Sequence, residues 1–109
     1  YKASIMKISY KREDVIRRTA SKLDLENKEV KIILDKIIDT ITDMFLENHS
    51  NIRLEIRNFG TFEVKPASAK PNARNPKTNE VIYVPPHKKI HFRPGKIIKN
   101  ELSKEYILK

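Results

Sequence analysis

The residues of this chain best suited to chemistry are basic, and they are bunched. Lys65, Lys70, Arg74, Lys77, Lys88, Lys89, Arg93, Lys96 and Lys99 stand against the single acid Glu80, a net charge of +8. The other 74 residues hold 14 bases and 13 acids, so nearly all of the +9 carried by the 109 residues sits in one third of them. All six prolines (Pro66, Pro71, Pro76, Pro85, Pro86 and Pro94) fall in that same third. Such a segment attracts anions: nucleic acid, an anionic membrane surface or an acidic partner. At its centre Arg74-Asn75-Pro76 leads into the turn-rich Lys77-Thr78-Asn79, which puts a cation and a rigid ring where the chain reverses. A charge run is as often a solvated face or a disordered tail. This one is internal and is followed by more regularly patterned sequence.

Other chemistries find little support. With only Gly60 and Gly95 there is no glycine-rich phosphate loop, and no Ser/His/Asp arrangement suggests itself, so no catalytic residue is expected. The absence of cysteine excludes disulfides, Cys-based zinc sites and a cysteine nucleophile. His87 and His91, four apart, share a face of any strand, but a metal site needs further ligands nearby. No metal and no cofactor is expected. Membrane-surface binding calls for a basic amphipathic helix, whereas these bases lie on a β-prone segment. RNA recognition favours stacking aromatics, and the segment has only Tyr83 and Phe92, expected to pack the base of an arm. No run approaches the ~18 apolar residues of a membrane span, and no secretory segment is visible. The first residue is Tyr1, as expected of a processed or cut chain from which a targeting segment would be missing.

The elements that must position the basic segment follow from periodicity. Residues 1–10 read as an N-terminal extension. Val15, Ile16, Thr19, Ala20 and Leu23 recur at helical spacing from Arg12 to Leu23, with Glu13 and Asp14 in the first turn, where the helix dipole favours acids. Val30, Ile33, Leu34, Ile37, Ile38, Ile41, Met44 and Phe45 then form the strongest stripe in the chain, a helix of roughly five turns whose apolar face is expected to be core. The two helices form a helical hairpin. After Asn48-His49-Ser50-Asn51, Ile52, Leu54 and Ile56 alternate with charged residues as a half-buried strand. Arg57-Asn58-Phe59-Gly60 is a turn, and Phe62 and Val64 continue a second strand. These two pair as a hairpin over the helices. Val81–Val84 and Lys89–Phe92 are β-prone but divided by Pro85-Pro86, which suits a two-stranded ribbon better than a central sheet strand. The expected ribbon, about 65–92, turns at Asn75–Asn79 and has little core of its own. A last helix, about 95–107, places Ile97, Ile98 and Leu102 inward.

Three separated motifs now stand in order: Phe59-Gly60-Thr61-Phe62-Glu63-Val64, Arg74-Asn75-Pro76-Lys77-Thr78, and Arg93-Pro94-Gly95-Lys96. Together they resemble the HU/IHF family of bacterial histone-like proteins, from about Lys11 to Glu101. The resemblance implies an α+β fold in residues 11–109: an intertwined dimer with a helical body, a small antiparallel sheet and protruding two-stranded β-ribbon arms. A homodimer is the first expectation and a heterodimer the alternative. It implies an architectural protein that binds double-stranded DNA through the minor groove with little sequence specificity. Proline wedging at the arm tips would bend or compact the duplex. On this sequence the wedge is Pro76, with Arg74 and Asn75 beside it in the groove. Lys65, Lys70 and Lys77 line the arm, and Lys88, Lys89 and Arg93 lie on the return strand. Lys96 and Lys99 match basic positions of the last helix, and Arg12 one of the first. The place of action is a nucleoid, bacterial or of a plastid-type organelle. The latter fits the AT-rich codons of Ile, Lys and Asn, which make up 39 of 109 residues. The chain departs from the family pattern in Asn72-Ala73, one residue longer before the tip, and in Asn79 and Asn58, where glycine is usual. Ala67 stands at a commonly basic position.

Overall fold

The computed structural model describes residues 7–106, with residues 70–73 described by their backbone alone. It divides into two compact units, each described by itself: one contains the first two helices, the other residues 47–104.

In the first unit α1 spans Arg12–Leu23 and α2 Asn27–Phe45. At the start of α1 the Lys11 N–H donates to the Asp14 carboxylate at 2.8 Å, filling one orphan donor of the first turn. That bond, then the Arg17 guanidinium, holds the Asp14 carboxyl below its ordinary range. At the other end Asp24 turns left-handed, with φ of 55°. The Leu25 N–H reaches back to the Ala20 carbonyl at 3.0 Å, the six-to-one bond of a Schellman ending. The seam between the helices buries Ile16, Ala20 and Val30, with Leu34 packed against them. Arg12 and Asp35 close it at the surface with an ion pair of 2.6 Å.

The α2 stripe, expected to be core, is only partly so. Val30 lies inside and Leu34 is half-buried, but Ile33, Ile37, Ile38 and Met44 are 52%, 49%, 51% and 41% exposed. The reason is geometric. A hairpin of two helices has one seam, and a stripe wider than that seam leaves its remaining width bare.

In the second unit β1 (Ile52–Ile56), β2 (Gly60–Ala67) and β5 (His87–Pro94) form an antiparallel sheet in the order β1-β2-β5. Opposed residues share a face, so the register sorts the side chains. Leu54, Phe62 and Phe92 align across one face, flanked by Ile52, Val64 and Ile90. The rings of Phe59, Phe62 and Phe92 cluster there, with centroids 4.8–6.3 Å apart. Val64 is buried beside them in sequence. Only Asn58 of the β1–β2 turn takes positive φ, 66°. Gly60 is required for space instead: a Cβ there would stand 2.5 Å from the Phe92 ring and 2.6 Å from the Arg93 carbonyl oxygen.

Past Val64, β2 has β5 as its single neighbour, and Pro66 sits in that stretch, where a missing donor is tolerated. Pairing stops at Ala67 opposite His87 and resumes at Lys70 opposite Val84, with β3 (Lys70–Arg74) against β4 (Val81–Val84). The arm is therefore two paired segments. The break expected at Pro85-Pro86 is matched on the outgoing strand by Ser68-Ala69. Between Lys70 and Ala73 the register shifts by one residue, so the longer approach to the tip is absorbed as a bulge.

The last element among the described residues is α3, Lys96–Leu102. This corrects the expected helix to residue 107. Ser103 donates its hydroxyl to the Lys99 carbonyl at 2.7 Å, and such back-bonding competes with continuation of the backbone ladder. Ile107 lies outside the described residues. Ile97 and Leu102, expected inward, are 58% and 77% exposed. A helix of seven residues has too short a face to bury all three apolar side chains.

Candidate nucleic-acid interface

The face of the β1-β2-β5 sheet opposite the phenylalanines is polar, with the bases Arg53, Lys65, Lys89 and Arg93 outnumbering the acids Glu55 and Glu63. Lys65 stands directly across from Lys89, Glu63 from His91, and Thr61 from Arg93. Arg53 of β1 joins the row opposite Glu63. Two lysines directly opposed repel each other, so an anion between them relieves strain as well as forming contacts. Lys88 belongs to the other face, opposite Pro66. Of the three bases expected on the return strand, the register groups Lys89 and Arg93 with Lys65 and sets Lys88 apart.

Glu63 modifies this row. It accepts from Arg93 at 2.7 Å and lies 3.5 Å from Lys65. The hydrogen bond from Arg93, aided by the charge of Lys65 and opposed by partial desolvation, holds its carboxyl below the ordinary range. Sequence reading passed over Glu63. The signal was available: on a strand, Glu63 and Lys65 two apart must share a face.

At the tip the chain reverses through residues 75–79. The Asn75 N–H donates to the Glu80 carbonyl at 2.8 Å and the Asn79 N–H to the Asn75 carbonyl at 2.7 Å. Asn79 carries positive φ, 60°, the conformation for which glycine is usual and asparagine acceptable. Pro76 is exposed. Arg74 faces Val81 at the end of the outer ribbon, and its Nη1 donates to the Asn79 side-chain oxygen at 3.1 Å and backbone oxygen at 3.3 Å. The turn thus gathers Arg74, Asn75, Pro76 and Lys77. Tyr83, expected to pack the arm base, is 62% exposed on the outer ribbon, while Phe92 fulfils that role in the ring cluster.

The remaining candidates are dispersed. Lys96 and Lys99, three apart on α3, share a helix side. Arg12 belongs to the helical hairpin and is engaged by Asp35. The side chain of Lys70 is outside the described residues. His87 points Nδ1 at the Pro85 carbonyl, 2.8 Å away. Among the described residues no group of three metal-ligating side chains assembles, and no helix is long and apolar enough to cross a membrane.

Residues 10–103 match the sequence model of a family described as bacterial DNA-binding protein. DNA-binding protein HU of Thermotoga maritima is 36% identical over 92 residues, which cover 84% of this chain and 98% of that one. DNA-binding protein HU 1 of Bacillus subtilis is 37% identical, covering 83% and 94%. Integration host factor subunit alpha of Haemophilus influenzae is 29% identical, covering 84% and 91%. Among solved structures, HU in an Anabaena HU–DNA cocrystal superposes with a TM-score of 0.74 at 23% identity, over 88% of this chain and all of that one. That likeness establishes the α+β fold.

Proposed function

The chain belongs to the bacterial DNA-binding protein family, that of HU and the integration host factor subunits, and from that premise we propose that it grips duplex DNA with its arm and bends it by inserting Pro76. The family is one of architectural DNA-binding proteins, not of enzymes. The finer reading rests on one observation: an exposed proline at the tip of a ribbon, with Arg74 beside it and a row of cations behind it.

The physical steps are these. Cations at Lys65, Lys89 and Arg93 displace counterions from phosphates, so affinity falls steeply with salt. Lys70, Lys77, Lys88, Lys96, Lys99 and Arg12 add to that grip. Arg74 and Asn75 enter the minor groove, whose negative potential concentrates where it is narrow. The Pro76 ring, which loses little entropy on insertion, separates two base pairs. In minor-groove architectural proteins, this family among them, unstacking costs roughly a few kcal/mol per step and is offset by the protein surface that a bent duplex meets. Preference for sequence is weak, and preference for nicked or flexible DNA is strong.

The body is a dimer in this reading, a homodimer first and a heterodimer with a related chain as the alternative. The half-exposed isoleucines of α2 support it, since contiguous apolar surface favours a partner. Residues 11–109 are the domain and residues 1–10 an extension. The place of action is the nucleoid, of a bacterium or a plastid-type organelle.

Pro76→Ala tests the wedge. Bending of an end-labelled duplex should fall much more than binding; unchanged bending sinks the idea. For the dimer, the denaturant midpoint should rise with protein concentration, and a midpoint independent of concentration refutes it.

A further inference from the structure

Two of the three histidines, His87 and His91, stand on β5, where Lys89 and Arg93 alternate with them. Side chains two apart on a strand share a face, so that face reads His87, Lys89, His91, Arg93 along its length. It is the face on which β2 carries Lys65 and Glu63. β5 is an edge of its sheet, and all four side chains are exposed. Half of this row is therefore imidazole, the side chain that ordinarily changes charge between roughly pH 5 and pH 8.

Across the ladder His91 faces Glu63, with Thr61 and Lys65 on the diagonals, and beyond them β1 sets Arg53 opposite Glu63 and Glu55 opposite Thr61. His87 faces Ala67, with Lys65 on the diagonal and Lys89 two residues along its own strand. Glu63 is already engaged by Arg93 at 2.7 Å and by Lys65 at 3.5 Å. A phosphate brought to this row adds negative charge, and an opposite charge close by favours the imidazolium. His87 supplies a geometric reason as well. Its Nδ1 lies 2.8 Å from the Pro85 carbonyl oxygen. A carbonyl can only accept, so Nδ1 carries the hydrogen and the neutral ring offers Nε2 as a bare lone pair. A phosphate oxygen accepts too, and Nε2 can serve it only after taking a proton. We propose that His87 and His91 complete the phosphate-binding row as imidazolium ions, so that the protein takes up protons as it binds duplex DNA and its grip tightens as pH falls. The inference rests on the reading of this face as the one that meets phosphate. Glu63 stays ionised across the same range, since Arg93 holds its carboxyl low, so the change in charge belongs to the imidazoles.

The test uses the full chain and one duplex, with a salt series of binding at about pH 8 and at about pH 5.5, the two sides of the imidazole range. On acidification affinity should rise on the order of tenfold, and the slope of log affinity against log salt should steepen by up to two phosphate contacts, about 0.9 each. Titration calorimetry at intermediate pH, in two buffers of different ionisation enthalpy, should show protons taken up on binding. The double variant His87→Gln, His91→Gln should lose both the gain and the uptake. His87→Lys, a permanent cation at the same place, should bind more tightly than the parent at the higher pH and gain less on acidification. His49, the third histidine, precedes β1 and lies outside the sheet, and His49→Gln should keep the full gain. Tight binding that is the same at both pH values overturns the proposal while DNA binding stands. A gain that survives in the double variant, or a release of protons on binding, overturns it as well. Failure to bind the duplex at either pH overturns the DNA-binding reading, and the proton linkage with it.

Discussion

The two segments of the arm are both basic ribbons, yet they are built in opposite ways. The inner segment, β2 with β5, is packed and compensated. One face is held by Val64 and the three phenylalanines, and on the other Glu63 occupies Arg93 and Lys65. In the outer segment, β3 with β4, the apolar side chains of Val81, Ile82 and Tyr83 are 56%, 41% and 62% exposed. Its order resides in the turn, where hydrogen bonds orient Arg74 and Asn75 around Pro76. Rigidity supplied by packing suits a platform that meets many phosphates. A short hydrogen-bonded turn suits a probe that must enter a groove narrower than a packed sheet.

Substitutions in the two segments should therefore fail differently. The largest effect is expected from Gly60→Ala, because the added methyl meets the Phe92 ring and the Arg93 carbonyl together. Overpacking of this sort costs about 1–3 kcal/mol, and the backbone oxygen puts this site at the upper end. Thermal unfolding should drop by several degrees, and an unchanged midpoint would mean that the inner segment is loose after all.

The next effect separates grip from groove. Lys89→Ala should weaken binding about equally on all sequences and lower the salt slope by roughly one phosphate contact. Arg74→Ala should weaken binding and also reduce bending, since it removes the cation beside the wedge. The comparison collapses if the two variants prove indistinguishable in a salt series with bending measured alongside.

The smallest effect is expected at Glu63, an exposed ion pair of modest worth. Glu63→Gln releases Arg93 and Lys65 for phosphate, so DNA affinity should rise a few-fold at low salt. A fall would show that Glu63 orients Arg93 instead of restraining it. The acid limb of stability reports the same pair. Since Arg93 lowers the folded-state pKa of Glu63, its contribution is present at neutral pH and is lost as pH falls through the lowered value. Glu63→Gln should remove that part of the acid dependence, which a pH series of denaturant melts would read.

Local patterns carried much of this into the sequence. The bounds of α1 and β1 and the position of the tip turn were legible because each is fixed within a few residues, by helical period, by strand alternation, or by Asn and Pro at the reversal. The bulge in β3 and the break at Ser68-Ala69 were not, since each depends on the opposite strand. Likewise, whether a face of α2 is covered depends on how wide the stripe is relative to what packs on it. Residue types could not distinguish Val30, which is buried, from Ile37, which is not.

For the proposed function the division is similar. That a basic segment reverses at Arg74-Asn75-Pro76, and which family pattern it follows, is written in the residue order, because charge and turn chemistry are properties of neighbouring residues. Tertiary structure decided the partners. It set Lys65 against Lys89 and Lys88 on the other face, gave Glu63 to Arg93, and gave Arg74 to Asn79. Strand register makes those pairings: residues up to 30 positions apart become neighbours, and a slip of one residue would send every side chain to the opposite face.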